Sequence, residues 1–348
     1  MAQEVRKPVL GITIGDMNGV GPEILMRIFS DLRMLDVCTP AIYCNGRVFG
    51  FYRKFLNHTG FNYHQVESIT EVQEGKVNIV NCWDEEVELN PGQMTPNGGK
   101  YALISLKAAV EDWKNNRFDA LITSPINKKN VADESFNFNG HTRYLTQEAG
   151  EKDSLMLMTC KDLKIGVATE HIPLKDISAA ITKELIIDKV KLMHKTLKND
   201  FGISKPKIAL LGLNPHAGDG GLMGSEEVEV IIPAIDELNS KFNIMAIGPY
   251  PADGFFGSSE YKHFDGVLAM YHDQGLIPFK TIAFEQGVNF TAGIAKIRTS
   301  PDHGTAYNIV GKKKISLVSF REAIYLAIDI YNTRNGILPI QQSAFKFD

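Results

Sequence analysis

The stretch IALLGLNPHAG at residues 208–218 is an apolar run that ends in a polar loop with a single histidine. The runs Ile165–Thr169 and Gly266–Tyr271 are followed by loops of the same kind. Runs of this length and composition predict buried strands. The histidines that follow the three runs are His171, His216 and His272. Because ligands bind outside the carboxyl ends of strands in open α/β sheets, the three imidazoles share one crevice if these strands are neighbours.

Strand-like runs alternate with amphipathic helical stretches along most of the chain. The strand-like runs are Val9–Ile14, Ala41–Cys44, Asn78–Val80, Ala120–Thr123, Ile165–Ala168, Ile208–Leu213, Asn243–Gly248, Gly266–Met270 and Ile315–Leu317. The helical stretches are Ala102–Asn115, Thr182–Phe201, Ser225–Lys241 and Ser319–Asn332. Ser225 is a good N-cap, and Glu226 and Glu227 are acids of the kind that suit a first helical turn. The alternation predicts an α/β fold in α/β/α layers, with helices on both faces of the sheet.

The chain is long enough for about two domains, with 348 residues. We place the first domain at residues 1–130 plus 300–348 and the second at residues 131–299. The polar stretch Asn127–Asn139 marks the first crossing, and the final helix is expected to pack on the first domain. Small-molecule pockets concentrate in clefts between domains, so an interdomain cleft is the expected site.

Composition excludes several classes of function. A hydrophobic fraction of 44% is ordinary for a globular protein, and a net charge of −4 provides no basic field for nucleic acid or an anionic membrane. The four cysteines form no CxxC pair, which is typical of a reducing compartment. The sequence shows neither a signal-peptide core nor an apolar run of membrane-spanning length, so the expected location is the cytoplasm.

Three neutral imidazoles at one place are typical of a catalytic metal site, because they leave coordination positions open for a substrate. Imidazole ligands favour Zn²⁺ or Co²⁺, whereas Mg²⁺ usually takes more oxygen ligands, and the identity of the ion stays open. The alternative for each histidine alone is a surface or capping residue. A metal that activates water, without any nicotinamide, would make the protein a three-histidine hydrolase instead.

The segment Asn139–Thr142 offers a glycine beside His141 and Thr142, which suits an anionic oxygen. The alternative is that Thr142 caps a helix over Arg143–Ala149. Two other loops are rich in glycine or in hydrogen-bonding groups: Gly15–Glu23 and Ser300–Ala306. The first matches neither G-x-G-x-x-G nor the P-loop, and the second is also explained as a turn without a ligand.

The region that follows Gly275 supplies three candidate polar contacts, Lys280, Asn289 and Arg298. Lysine and arginine suit phosphate or carboxylate, and arginine can bind either group with two parallel hydrogen bonds. The alternative for Lys280 and Arg298 is a solvated surface charge.

Several of these segments together resemble the 4-hydroxythreonine-4-phosphate dehydrogenase (PdxA) family, in order over about residues 9 to 312. They are Gly15–Glu23, Gly140–Thr142, Thr169–Leu174, Gly212–Gly218, Pro249–Asp253, Ala269–Gly275 and Arg298–Ala306. The resemblance implies NAD-dependent oxidation and decarboxylation of 4-phosphohydroxy-L-threonine to 3-amino-2-oxopropyl phosphate in pyridoxal phosphate (vitamin B6) biosynthesis. It also implies a two-domain fold like that of isocitrate and isopropylmalate dehydrogenases.

The resemblance further implies a role for each candidate residue. His171, His216 and His272 would bind one divalent ion (Zn, Co or Mg), and His141, Thr142, Lys280, Asn289 and Arg298 would bind the phosphorylated substrate. His303, Gly304, Thr305 and Ala306 would form the cofactor loop for NAD. Either Lys280 or Asp273 could assist proton transfer. The family is a homodimer with its active site at the subunit interface, so metal ligands can come from both copies.

The chain departs from the family pattern at two places. Arg143 stands where the family commonly has an acid, and Met17-Asn18 replaces a proline-containing pair. These changes leave open a paralogous dehydrogenase of another phosphorylated four-carbon acid, such as phospho-D-threonate or phospho-D-erythronate. A phospho-metabolite-binding module without catalysis is the non-enzymatic alternative, and retention of all three histidines argues against it.

Overall fold

The structure is a computed structural model that describes residues 6–131, 141–312 and 315–338. It divides into two compact units: unit 1 takes in Met1–Glu151 and Ala295–Tyr331, and unit 2 takes in Lys152–Ile294 and Asn332–Asp348. The sequence placed the crossings after residues 130 and 299. The structure has boundaries after residues 151, 294 and 331, because helix and loop residues up to Glu151 group with the first unit and residues from Asn332 group with the second.

The first part of the chain alternates strands and helices. Its strands are β1 (Val9–Thr13), β2 (Thr39–Cys44), β3 (His64–Val66), β4 (Asn78–Asn81) and β5 (Ala120–Thr123). Its helices are α1 (Gly21–Phe29), α2 (Met34–Val37), α3 (Gly46–Phe55), α4 (Pro96–Lys114) and α5 (His141–Glu148). Thr95 caps α4 by accepting the Gly98 N–H at 3.2 Å, so the helix begins earlier than the apolar spacing indicates.

Unit 2 continues the alternation. Its strands are β6 (Leu155–Cys160), β7 (Leu163–Thr169), β8 (Lys207–Leu211), β9 (Met245–Tyr250), β10 (Gly266–Tyr271) and β11 (Val288–Ala292). Its helices are α6 (Ile177–Ala180), α7 (Lys183–Asn199), α8 (Ile232–Phe242), α9 (Ala252–Gly257) and α10 (His272–Ala283). The chain then returns to unit 1 with β12 (Ile297–Pro301) and with α11 (Val318–Arg334), whose last three residues belong to unit 2.

The strands of unit 1 are all parallel, in the order β3-β4-β2-β1-β5-β12. The predicted strand at Ile315–Leu317 is wrong, because these residues form no strand and β12 takes the position beside β5. β12 contains the polar residues Arg298, Thr299 and Ser300, so it does not form an apolar run in the sequence.

The strands of unit 2 are ordered β11-β6-β7-β10-β8-β9. β6 is antiparallel to both β11 and β7, whereas β7, β10, β8 and β9 run parallel. The three runs that precede the histidines are therefore neighbours, with β10 between β7 and β8. Their residues are almost wholly buried, as expected for parallel strands covered on both faces.

Helices α7 and α10 cover opposite faces of this sheet. A Cβ at Gly166 would meet Met193 of α7, whereas a Cβ at Gly275 of α10 would meet Ile165 and Val167. Because successive strand residues point to opposite faces, residues 165 and 167 point away from residue 166. The predicted α/β fold with helices on both faces is confirmed. Among the described helices, none combines the length and the apolar character that a membrane crossing requires.

Candidate active site

The carboxyl ends of β7, β10 and β8 carry the three predicted histidines of unit 2. Thr169 of β7 pairs with Tyr271 of β10, so His171 and His272 leave the sheet at nearly the same level. The Thr169 hydroxyl donates to the Met270 carbonyl at 2.8 Å and ties these two strand ends together. His216 follows β8 on the other side of β10.

The imidazoles of His171 and His272 lie close together. Their ring centroids are 5.9 Å apart, with the ring planes inclined by 43°. Both side chains are part-exposed, and they line a cavity of about 200 Å³ together with Thr169, Glu170, Ile172, Leu174, Ile177, Tyr271 and Asp273. Two imidazoles that bind one ion through nitrogens at about 2.1 Å place their centroids roughly 5–6 Å apart, so this pair fits a shared ion.

His272 is oriented by its neighbour. Its Nδ1 lies 2.7 Å from Oδ1 of Asp273. A carboxylate only accepts, so Nδ1 carries the proton and the lone pair of a neutral ring is on Nε2. Carboxylate–histidine pairs of this kind fix the ring orientation of metal ligands. Glu170, beside His171, is largely buried, and burial raises the pKa of its carboxyl group.

The loop of His216 has an unusual backbone. His216, Ala217 and Asp219 all have φ between +43° and +53°, and Gly218 and Gly220 are also left-handed. His216 is exposed and is not among the residues that line the cavity beside His171 and His272. Among the described residues, no group of three or more histidine, cysteine, aspartate or glutamate side chains is arranged to hold one ion. One chain thus brings together two of the three predicted ligands.

Lys280 and Asn289 also belong to unit 2. Lys280 is half-buried on α10, two turns after Asp273. Asn289 is on β11, opposite Met158 of β6. Its side-chain Oδ1 is buried and has no hydrogen-bond partner among the described residues. A buried amide oxygen without a partner costs free energy, so a bound donor group would satisfy it.

Unit 1 contains the other predicted substrate residues, His141, Thr142 and Arg298. Arg298 is only 2% exposed, and its Nε and Nη2 donate to Thr123 Oγ1 at 3.1 and 2.6 Å. The alternative of a solvated surface charge is therefore wrong for Arg298. Burial lowers the pKa of its guanidinium to about 9. Burial, together with the positive charges of Arg298 and Lys128, holds the pKa of His141 well below its ordinary value.

Thr142 lies inside α5 rather than before it, because the helix begins at His141. Its carbonyl accepts the Thr146 hydroxyl at 2.7 Å. The predicted helix over Arg143–Ala149 thus exists, but the capping alternative for Thr142 is wrong. Asn139 and Gly140 lie outside the described residues. Arg143, the departure from the family pattern, is exposed.

The glycine-rich loop after β1 packs against the predicted cofactor loop, both within unit 1. The Val20 N–H donates to the Thr305 carbonyl at 3.0 Å, and a Cβ at Gly19 would approach this oxygen to 2.8 Å. His303 Nε2 is buried without a hydrogen-bond partner among the described residues. Ala306 is left-handed, with φ of 45°. The turn therefore presents one buried polar atom that the described part of the chain leaves unsatisfied.

Asp16 and Asn18, in the same glycine-rich loop, are functional candidates whose individual roles the sequence does not indicate. Buried Asp16 accepts from the Asn18 N–H at 2.9 Å and from the Tyr307 hydroxyl at 2.6 Å. The Asn18 side chain donates to Thr95 and accepts from the Asn90 N–H. The substitution of Asn18 for the family's usual residue is accommodated by these hydrogen bonds.

The chain is similar to known proteins over most of its length. The family model described as "Pyridoxal phosphate biosynthetic protein PdxA" matches residues 36–327. A 4-hydroxythreonine-4-phosphate dehydrogenase of Bacteroides thetaiotaomicron is 49% identical over 95% of this chain and 91% of its own. The enzyme of the same name from Sulfurihydrogenibium sp. is 42% identical over 93% of this chain and 99% of its own.

Solved structures of other proteins have a fold similar to that of this chain. A 4-hydroxythreonine-4-phosphate dehydrogenase from Burkholderia phymatum has a TM-score of 0.77 at 32% identity, over 94% of this chain and 99% of that one. A terephthalate 1,2-cis-dihydrodiol dehydrogenase from Burkholderia xenovorans has a TM-score of 0.62 at 25% identity, over 93% and 98% of the two chains.

Proposed function

The chain belongs to the PdxA family, and on this premise we propose that it is a metal- and NAD-dependent dehydrogenase acting on 4-phosphohydroxy-L-threonine. NAD, when bound, would serve as the hydride acceptor for oxidation of the C3 hydroxyl, and a proton would be released. The resulting β-keto acid loses carbon dioxide and gives 3-amino-2-oxopropyl phosphate, an intermediate for pyridoxal phosphate. The names of relatives up to 49% identical support the substrate.

The observation that carries the chemistry is the pair of imidazoles at the ends of two neighbouring strands, with centroids 5.9 Å apart. We propose that His171 and His272, together with His216 of this or a second copy, hold a divalent ion. Such an ion supplies a Lewis acid that lowers the pKa of a bound hydroxyl and stabilises negative charge on oxygen. Zn²⁺ and Co²⁺ suit the imidazoles better than Mg²⁺ does.

The other residues of unit 2 orient the substrate and move protons. Asp273 holds the Nδ1 proton of His272 and is thus occupied by a positioning role. Lys280 is therefore the better candidate for proton transfer from the hydroxyl. Asn289, with its buried Oδ1, provides an acceptor for an ammonium or hydroxyl of the substrate.

The residues of unit 1 bind anionic groups and the nucleotide. Arg298 presents a buried guanidinium beside Thr123, and such a group binds phosphate or carboxylate with two parallel hydrogen bonds. Neutral His141 and the Thr142 hydroxyl add donors without adding charge. The turn at residues 303–306 would bind NAD, consistent with the buried, unsatisfied Nε2 of His303.

Two copies of the chain would form the active enzyme. Apolar side chains on the histidine-bearing loops, on α10 and directly after α10 are exposed in a single chain: Leu174 (75%), Leu222 (83%), Ile277 (64%) and Phe284 (75%). Exposed apolar surface of this kind is typical of a protein–protein interface. We propose a homodimer whose interface includes these residues and the metal site. Four cysteines without disulfides are consistent with a cytoplasmic location.

The test is an assay of the purified protein with 4-phosphohydroxy-L-threonine, NAD and a divalent ion. NADH absorbance and carbon dioxide should appear in equal amounts, a chelator should abolish both, and added Zn²⁺ or Co²⁺ should restore them. Phospho-D-threonate and phospho-D-erythronate serve as comparison substrates and should give lower kcat/KM. Turnover that does not need NAD would contradict the proposal and favour a metal-dependent hydrolase.

A further inference from the structure

Glu227 is a buried carboxylate beside the loop of His216. It is 1% exposed and lies in a π-helical turn, Glu227–Ile231, that precedes α8. Its Oε1 accepts the backbone N–H groups of Leu213 and Asn214, both at 2.7 Å. Its Oε2 accepts the Asn214 side-chain amide at 3.0 Å. One carboxylate thus satisfies three donors at the point where the chain leaves β8.

The same loop packs tightly on this carboxylate. A Cβ at Gly218 would approach Oε2 of Glu227 to 2.6 Å, and a Cβ at Gly212 would approach Oε1 to 3.1 Å. Gly218, in the middle of the left-handed residues 216–220, therefore lies directly against the Glu227 carboxyl group. Left-handed non-glycine residues are strained and persist only where their surroundings hold them. Glu227 provides such a constraint for His216.

Neighbouring hydrogen bonds link this loop to those of the other two histidines. Glu226 accepts the Asn214 amide at 2.7 Å and the Ser178 hydroxyl at 2.5 Å, and Ser178 lies on α6, after the His171 loop. Gln274, two residues after His272, donates to the Gly212 carbonyl at 2.6 Å. Residues 212–214 are thus the common point at which all three loops are joined.

We propose that Glu227 is a positioning residue for the metal site: it fixes residues 213 and 214 and thereby sets the location of His216. This role rests on the proposed function, because it presumes that His216 is a metal ligand. An acid near a helix start ordinarily faces solvent and interacts with the helix dipole. Glu227 instead points at backbone donors of another loop. Groups that hold metal ligands in place typically contribute about 10- to 100-fold to metal affinity.

The test compares Glu227→Gln with Glu229→Gln. The second substitution removes the same charge at an exposed position of the same turn. Apoproteins are titrated with Co²⁺, and the visible absorption of the bound ion reports both affinity and coordination. We expect Glu229→Gln to match the wild type. Glu227→Gln should bind Co²⁺ about 10- to 100-fold more weakly, with an altered spectrum, while unfolding of the apoprotein still shows a single transition.

A double-variant cycle shows whether the loss acts through His216. Adding Glu227→Gln to His216→Ala should weaken Co²⁺ binding no further, because the ligand that Glu227 positions is already absent. Unchanged affinity in Glu227→Gln, or a fully additive loss, overturns the positioning role alone. A wild-type protein that binds no Co²⁺ overturns the metal site and this role together. Should Glu227→Gln fail to fold, Asn214→Ala removes the side-chain donor that Oε2 of Glu227 accepts, and Co²⁺ affinity equal to that of Glu229→Gln contradicts the proposal.

Discussion

The Tyr307 hydroxyl donates a 2.6 Å hydrogen bond to Oδ2 of Asp16, although the two residues are 291 positions apart in the sequence. The bond joins the glycine-rich loop after β1 to the end of the predicted cofactor loop, both in unit 1. Asp16 is buried, and its carboxylate also accepts the Asn18 N–H. The geometry of residues 303–306 therefore depends on a carboxylate that no local motif identifies.

Tyr307→Phe removes this bond and leaves a buried carboxylate with one donor fewer. We expect the free energy of unfolding to fall by about 1–3 kcal/mol, measured by urea denaturation. The KM for NAD should rise while KM for the phosphorylated substrate changes little. Combining Tyr307→Phe with Asp16→Asn should give a strongly non-additive loss. Wild-type stability together with an unchanged KM for NAD would show that the bond positions nothing.

Asp273→Asn tests whether Asp273 orients His272 or transfers a proton. Because the carboxylate accepts the Nδ1 proton of His272, we expect the amide to weaken metal affinity by about tenfold. Competition with a chelator measures this change. Glu285→Gln, at an exposed position just beyond α10, is the control. A large fall in kcat with metal affinity intact would instead identify Asp273 as the proton-transfer residue.

Lys280→Met should lower kcat by about 10²- to 10⁴-fold, the range for loss of a general acid or base, and leave the bound metal in place. Lys262→Met, an exposed change outside α10, should keep wild-type kinetics. Steady-state kinetics with saturating NAD separate kcat from KM. A variant in which only KM rises would restrict Lys280 to substrate binding.

His141 makes the stability of the apoprotein depend on pH. Burial, Arg298 and Lys128 lower its pKa in the folded state, so below the ordinary histidine pKa of about 6.5 the unfolded chain binds more protons. His141 thus lowers the free energy of unfolding in acid. This free energy falls as the pH drops below about 6.5. In His141→Gln the loss of Tm between about pH 7.5 and about pH 5.5 should be smaller. His263→Gln, at an exposed position, is the control for the loss of an imidazole. An equal loss of Tm in the wild type and in His141→Gln would contradict the lowered pKa of His141.

The sequence predicts most of the strands that are continuous apolar runs, although it misses β6 (Leu155–Cys160), which is such a run. β7, β8 and β10 are buried on both faces and parallel, so their runs are uninterrupted and their histidines can be assigned to neighbouring strand ends. β11 and β12 contain Asn289 and Arg298, polar side chains inside strands, and so they do not appear as apolar runs. Their polar residues are the ones the family resemblance assigns to substrate binding.

The supporting residues of the site are not predictable in this way. Glu227 has the sequence context of an acid in a first helical turn, and only the folded chain shows that it binds the loop of residues 213–214. Asp16 and Tyr307 meet through tertiary structure alone. Local patterns carry information about secondary structure, whereas hydrogen bonds between distant loops depend on how those loops pack.

The central claim is that His171, His216 and His272 hold one divalent ion. The most direct measurement is the metal content per chain, by elemental analysis after loading with Zn²⁺ and removal of free ion, for the wild type and for His171→Ala, His216→Ala and His272→Ala. We expect about one equivalent in the wild type and almost none in each variant, with His263→Ala unchanged. Full metal content in any of the three variants would contradict the assignment of that histidine, and full content in all three would refute the site.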